Sequence, residues 1–166
     1  MKKHIVSIFL LLLSAGTFAQ VDSIQPPYKR FPTLPPVKLL LTDSTTYFTK
    51  ENFTKESPVI IFQFNPECEH CKKETEELLD SIDRLKDVQI VMATMMPFGT
   101  LKLFCEKYKL VGYKNIIVAQ DIQYFLPVFY RITNLPFLAL YDKNGNLITT
   151  FDGAIPIRKV IEAFNK

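Results

Sequence analysis

The sequence predicts an α/β domain in which a mixed β-sheet lies between two layers of helices, a three-layer sandwich. Short apolar runs rich in β-branched and aromatic residues, such as PVIIFQF at 58–64, alternate with segments of helical periodicity. The chain finishes with two strand-like runs joined by a turn, followed by a helix. With 166 residues, of which 48% are hydrophobic, it can bury the core that one such domain requires.

The first 19 residues have the pattern of a secretory signal peptide. Lys2 and Lys3 precede a mostly apolar run, Ile5 to Leu13, and small residues follow as far as Ala19. This run is too short to span a bilayer. We therefore predict an exported protein of the periplasm or envelope of a bacterium, with the signal at 1–19 either cleaved or retained as an anchor.

The charge of the chain does not favour a polyanionic partner. Removal of the predicted signal takes away two of the 20 basic residues and none of the 17 acidic ones, which leaves a net charge of +1. The remaining basic residues are dispersed among acids. The composition therefore predicts no nucleic-acid partner.

The elements that precede the first cysteine are predicted from local composition. Residues 20–36 contain five prolines and are predicted to form an extended arm, and the domain is predicted to cover 37–166. A first strand is expected at 37–41, and a turn with a short helix at 42–57. The run 58–64 has the composition of a strand that is buried on both faces.

The elements that follow alternate between helix and strand. A helix is predicted from Glu69 to about Lys86, because apolar residues recur at helical spacing among charged ones. A further helix, 122–130, is expected to be interrupted or kinked by Pro127. The other predicted strands are 88–94, 115–120, 136–142 and 146–152, the last two joined by an Asn-Gly turn, and the other predicted helices are 99–110 and 157–164.

Two cysteines, Cys68 and Cys71, lie where the buried strand gives way to a helix. Unpaired N–H groups and the helix dipole favour negative charge there, so we expect a thiolate at Cys68, the more exposed of the two, with a lowered pKa. Cys71, one turn into the helix, is placed to attack a mixed disulfide on Cys68. A structural disulfide is the plainer alternative, since export exposes the pair to oxidising conditions.

A metal site fits the sequence poorly. Zinc needs four good ligands, and after removal of the signal the chain has one histidine, His70, which lies inside the cysteine pair. We therefore expect no metal, and thiol exchange requires no cofactor. Cys105, on an apolar helix face, is predicted to be a buried small hydrophobic residue, with a second resolving thiol as the alternative.

Several motifs of residues 37–166 resemble those of thioredoxin-like proteins, in particular the exported thiol-disulfide oxidoreductases of the TlpA/ResA type. CEHCKKE at 68–74 is similar to their Cys-Glu-Pro-Cys-Lys-Lys-Glu motif. The stretch Ile132 to Pro136 resembles their segment ending in a cis-proline, and YDKNGNLITTFDG at 141–153 resembles their terminal hairpin.

The resemblance implies a role for each matching residue. Cys68 would be the nucleophile and Cys71 the resolving thiol. Pro136 would be the cis-proline, and the backbone of Leu135 would pair with the substrate chain. Glu74 would be the acid that lies near the pair and tunes its titration; an ordinary solvated helix acid is the alternative for this residue.

The chain also departs from the family pattern. Glu67 stands where tryptophan usually precedes the first cysteine, and Phe62 replaces a buried polar residue of many relatives. His70 stands where proline commonly precedes the second cysteine. We expect His70 to stabilise the thiolate of Cys68, and the carboxylates of Glu67 and Glu69 to oppose it.

These features predict an exported enzyme that exchanges a Cys68–Cys71 dithiol or disulfide with cysteine-containing envelope proteins. The resemblance implies a reductant, similar to proteins that keep apocytochrome c or other envelope thiols reduced, and hence a membrane electron donor. The oligomeric state is not predicted by the sequence.

Two other functions remain as alternatives. A thiol peroxidase shares this type of fold, but such enzymes usually carry a threonine three residues before the reactive cysteine, where this chain has Asn65. A peptide-binding module that keeps Cys68–Cys71 as a structural disulfide is the other, and Glu67 in place of tryptophan favours it.

Overall fold

The computed structural model describes residues 25–165. The predicted signal at 1–19 lies outside this part of the chain. Within 25–165 no helix combines the length and the hydrophobicity needed to cross a membrane.

One seven-stranded sheet organises the described residues. The strands are β1 Lys38–Leu41, β2 Tyr47–Thr49, β3 Val59–Gln63, β4 Gln89–Thr94, β5 Ile116–Gln120, β6 Phe137–Tyr141 and β7 Leu147–Asp152. Their order across the sheet is β2-β1-β5-β4-β3-β6-β7. β3 pairs in parallel with β4 and antiparallel with β6, so the sheet is mixed, as predicted.

Helices cover both faces of this sheet and complete the predicted three layers. They are α1 Pro27–Arg30, α2 Glu69–Asp80, α3 Phe98–Lys107, α4 Phe125–Tyr130 and α5 Ile157–Ala163. The helices α2, α3 and α5 form one apolar cluster with one face of the sheet, while α1 and α4 pack on the opposite face. Because both faces are covered, every residue of β3 is buried, which explains why four of its five residues are apolar.

The structure corrects two predictions of secondary structure. Residues 42–57 contain the strand Tyr47–Thr49 and one 3-10 turn, Lys50–Asn52, rather than a turn with a short helix. A strand of three residues is too short for its alternating burial to be visible in the sequence. The helix predicted to reach Lys86 ends at Asp80, and a separate 3-10 turn follows at Ile82–Leu85.

The prediction of a helix over 122–130 interrupted or kinked by Pro127 is also wrong. The helix begins only at Phe125, so Pro127 is its third residue, where an N–H group has no partner within the helix in any case. The buried carboxylate of Asp121 accepts hydrogen bonds from the N–H groups of Phe125 and Leu126.

Part of the predicted extended arm is helical and is attached to the domain. After α1, Leu34 donates an N–H hydrogen bond to the carbonyl of Gly145 in the β6–β7 turn. The ring of Tyr28 in α1 packs on Tyr130 of α4, with 5.6 Å between ring centroids. The predicted Asn-Gly turn is present, and Gly145 has a φ of +78°, which glycine adopts readily.

Candidate active site

A short loop joins β3 to α2 and presents the first cysteine. The side-chain oxygen of Asn65 accepts a hydrogen bond from the N–H of Glu67, and its carbonyl accepts one from the N–H of Cys68. Pro66 is buried between them. These bonds turn the chain sharply and place Cys68 at the N-cap of α2.

The two cysteines of this loop differ in exposure, as predicted. Cys68 is partly exposed, whereas Cys71 is 0% exposed, and both thiols are free. The N–H of Asn65 donates to Cys71 Sγ over 3.5 Å. Burial raises the pKa of the Cys71 thiol to about 12; the Asn65 N–H opposes this rise, while Cys68 and the charge of Glu74 add to it.

Glu74 occupies the buried stripe of α2, not its solvated face. The stripe consists of Cys71, Glu74, Thr75 and Leu78, at helical spacing. Glu74 is 3% exposed; its Oε2 accepts a hydrogen bond of 3.2 Å from the N–H of Ile155, and its Oε1 has no partner among residues 25–165. Burial raises the pKa of Glu74 to about 7, the Ile155 hydrogen bond lowers it, and the charge of Glu77 raises it further.

The other predicted modulators lie on the surface. Glu67 and His70 are exposed, and their side chains form no hydrogen bond or ion pair with any described residue. The exposed carboxylate of Glu69 pairs with Lys72 Nζ at 2.6 Å. The roles predicted for Glu67 and His70 at the thiolate therefore remain predictions.

The predicted cis-proline lies at the same edge of the sheet. The peptide bond between Leu135 and Pro136 is cis, and Pro136 is buried. Phe137, the next residue, pairs with Gln63 at the end of β3, so Pro136 lies beside the loop that leads to Cys68. No described residue forms a hydrogen bond with the N–H or C=O of Leu135, although Gly153 donates its N–H to the carbonyl of Pro136.

Hydrogen bonds from β7 fix the segment that precedes the cis-proline. The carboxylate of Asp152 accepts hydrogen bonds from the hydroxyl of Thr133 and from the N–H of Asn134. The Leu135 backbone is therefore held in place while its own polar groups have no partner among residues 25–165.

Two polar residues of this region were not singled out by the sequence. Gln63, at the end of β3, is fully buried and neither atom of its amide has a partner among residues 25–165. Glu77 is partly buried, and its Oε2 accepts a 3.3 Å hydrogen bond from the N–H of Ile157. The only sequence signal for Glu77 was its spacing of three residues from Glu74.

Among residues 25–165, no three histidine, cysteine, aspartate or glutamate side chains come close enough to hold a metal ion.

Comparisons with known proteins identify the fold. No protein-family model matches the sequence, and curated protein sequences give no match. Solved structures do match. A secreted Mycobacterium tuberculosis disulfide oxidoreductase homologous to Escherichia coli DsbE has 16% identity and a TM-score of 0.65, over 78% of this chain and 95% of its own. StoA from Bacillus subtilis has 18% identity and a TM-score of 0.60, over 78% and 97%.

The same fold also occurs in another class of thiol enzyme. A 2-Cys peroxiredoxin from Plasmodium vivax matches with 13% identity and a TM-score of 0.64, over 80% of this chain and 78% of its own. The chain therefore has a thioredoxin-like fold, as the motif resemblance predicted. At these identities the fold does not decide between exchange with protein thiols and reduction of peroxides.

Proposed function

We propose that the chain is an exported thiol-disulfide oxidoreductase in which Cys68 and Cys71 exchange electrons with cysteines of envelope proteins, acting as a reductant. One observation carries the proposal. A partly exposed thiol at the N-terminus of α2 is followed one turn later by a buried thiol, and one turn after that by a buried carboxylate, that of Glu74. This arrangement supports the assignment of a nucleophile, a resolving thiol and a proton acceptor to these three residues.

The electron and proton balance of this exchange can be written with these groups. The thiolate of Cys68 attacks a substrate disulfide, a mixed disulfide forms, and the first substrate thiolate leaves and takes up a proton. Cys71 then gives its proton to the carboxylate of Glu74 and attacks Cys68 Sγ. The second substrate thiolate is released, so the substrate disulfide gains two electrons and the Cys68–Cys71 dithiol becomes a disulfide.

The proposed direction rests on the motif resemblance to exported reductants of the TlpA/ResA type. Burial and neighbouring negative charge raise the pKa of Cys71, so in the proposed exchange this thiol stays protonated until Glu74 accepts its proton. Renewal of the dithiol requires a dithiol donor, which for an exported protein would be a membrane electron carrier.

The cis-proline segment supports a protein as the substrate. The unpaired N–H and C=O of Leu135 are suited to pair with an extended chain, and Leu135 precedes Pro136 beside the Cys68 loop. The substrate cysteine would thereby be aligned with Cys68. The pattern at 1–19 supports export.

An equilibrium redox titration tests the proposal. The domain without its signal, carrying Cys105→Ser so that one pair is read, is titrated against glutathione and dithiothreitol buffers. We expect a reversible midpoint below about −200 mV, on the reducing side of protein disulfide isomerase. The Cys68→Ser variant is the matched control, because it retains Cys71 and cannot close the disulfide.

Other outcomes would replace the proposal. A midpoint near −120 mV, the region of DsbA, would indicate an oxidant. A pair that stays closed under strong reductant would indicate a binding module with a structural disulfide. Rapid turnover of hydrogen peroxide by the same preparation would indicate a thiol peroxidase.

A further inference from the structure

Two carboxylates of α2 hold the backbone that leads into α5. Glu74 accepts the N–H of Ile155 and Glu77 accepts the N–H of Ile157, at 3.2 and 3.3 Å. A spacing of three residues places both side chains on one face of the helix. The loop between β7 and α5 is thus attached to α2 at two alternate peptide groups.

Both carboxylates also line one small cavity between α2 and the loop that leads into α5. The cavity has a volume of about 130 Å³ and is lined by His70, Lys73, Glu74, Glu77, Ala154, Ile155 and Pro156. The loop residues bring no titratable side chain to it. Arg158, Lys159 and Glu162 of α5 do not line it, so the titratable groups that share the cavity with Glu74 are His70, Lys73 and Glu77, with the Cys71 thiol nearby.

We propose that Glu77 is a positioning residue, whose carboxylate adds negative charge to the cavity that Glu74 lines and so shifts the pH at which Glu74 can accept the proton of Cys71. The inference rests on the proposed function, since it assigns Glu77 a part in the same exchange. Glu77 touches neither thiol in this assignment. It acts through Glu74 and through the loop that both residues hold.

The physical basis is the cost of placing a negative charge on the buried Glu74 carboxyl beside the charge of the partly exposed Glu77. When Glu77 is ionised, ionisation of Glu74 adds a second charge to the same cavity, and the proton on Glu74 is held more tightly. Glu74 Oε1, which has no partner among the described residues, is the atom available to take the Cys71 proton. Loss of the Glu77 charge makes Glu74 a weaker base that is available at lower pH.

The test compares three variants in the Cys105→Ser background. Glu77→Gln removes the charge and keeps an oxygen that can accept the Ile157 N–H. Glu76→Gln is the matched control, because Glu76 is an exposed neighbour on the same helix whose carboxylate accepts only the Tyr108 hydroxyl. Glu74→Gln removes the proposed acceptor itself.

The readout is the reaction of the reduced protein with Ellman's reagent, an aromatic disulfide. Attack by Cys68 releases a first thiolate, and attack by Cys71 on the mixed disulfide releases a second. The rate of the second release, measured from pH 5 to 9, reports the step that uses Glu74, while the first release serves as an internal control.

We expect the second rate of the unmodified background to fall as the pH is lowered through about 7, where Glu74 becomes protonated. In Glu77→Gln this fall should occur at a pH lower by roughly half a unit or more, with the first rate unchanged. Glu76→Gln should follow the background, and Glu74→Gln should lose the inflection.

An inflection that stays in place in Glu77→Gln, while Glu74→Gln abolishes it, would overturn the role of Glu77 and leave the proposed function intact. An equal displacement in Glu76→Gln would overturn it as well, since any nearby charge would then suffice. If the background protein releases no second thiolate at any pH, the proposed function itself fails.

Discussion

Cys71 and Cys105 are both buried thiols on the same face of the sheet, and only Cys71 has a second thiol and a buried carboxylate near it. Their exposed fractions are 0% and 4%, and both belong to the same apolar cluster. Burial raises the pKa of both thiols, to about 12 and about 11. Burial and pKa alone therefore do not identify a redox cysteine.

The difference lies in what surrounds each sulfur. Cys71 is in the first turn of α2, with the Cys68 thiol and the Glu74 carboxylate beside it. Cys105 is near the end of α3, where the neighbouring charge that acts on it is that of the exposed Glu106. The proposed exchange uses a second thiol and a carboxylate, and of these two cysteines only Cys71 has both nearby.

The largest expected effect comes from removal of the resolving thiol. With Cys71→Ser, the mixed disulfide on Cys68 has no internal nucleophile to break it, so we expect turnover of a substrate disulfide to fall by ~10³-fold. Mass spectrometry should detect the trapped adduct, and Ellman's reagent should release one thiolate where the unmodified protein releases two. Turnover close to that of the unmodified protein would show that another thiol resolves the adduct.

Much of this contrast could be predicted from the sequence, because it depends on local spacing. Cys68 and Cys71 follow a run whose composition indicates a buried strand, and a helix begins at once after them. Pro136 opens the next apolar run in the sheet. These are short-range patterns, which can be recognised in the sequence from the spacing of its apolar residues.

The parts that could not be predicted depend on which elements pack together. The burial of Glu74 follows from its position in the stripe of α2, but Glu76 and Glu77, which follow it closely, conceal that stripe in the sequence. The hydrogen bonds that Glu74 and Glu77 accept come from residues about 80 positions away. The sequence places Gln63 in a buried strand, but no local pattern in it indicates that the side-chain amide has no hydrogen-bond partner among residues 25–165.

Substitution of Glu74 tests whether its buried carboxylate, close to Cys71, lowers the free energy of unfolding as its burial indicates. The pKa of this group is raised from 4.5 to about 7 in the folded protein. Between these two values the folded state binds more protons than the unfolded state, so this group makes stability fall as the pH rises. Glu74→Gln should therefore be more stable than the unmodified protein by on the order of 2 kcal/mol at pH 8, with little difference at pH 4.5.

Denaturant unfolding of the reduced proteins at both pH values measures this difference. Glu76→Gln is the control, since its side chain is exposed. The same gain in stability for Glu74→Gln at pH 4.5 and pH 8 would mean that ionisation of the Glu74 carboxylate does not destabilise the fold. The surroundings of Cys71 would then differ less from those of Cys105.

Gln63, a buried polar residue on the opposite face of the sheet, tests whether only polar groups close to Cys71 affect exchange. It pairs with Ala93 and Phe137, and its unpartnered amide lies away from the apolar cluster that contains Cys71. Gln63→Met keeps the approximate volume and removes the buried polar atoms, so we expect a gain in stability of about 1 kcal/mol. The rates of both steps with Ellman's reagent should stay within about twofold of the unmodified protein. A tenfold loss of the second rate would show that proximity to the thiols does not decide which buried polar groups take part.

The smallest effect is expected for substitution of Cys105, which directly tests whether this thiol takes part in exchange. Cys105→Ser places a hydroxyl in an apolar site, so we expect a loss of stability of about 1 kcal/mol, while the redox midpoint of the Cys68–Cys71 pair stays unchanged. A sharper form uses the Cys71→Ser background, in which a second resolving thiol would have to be Cys105. If Cys105 is only a packing residue, the adduct on Cys68 will persist equally long with Cys105 and with serine at that position. A shorter lifetime with Cys105 would show that this thiol reaches Cys68. A buried thiol of the same apolar cluster could then resolve the adduct without a neighbouring carboxylate.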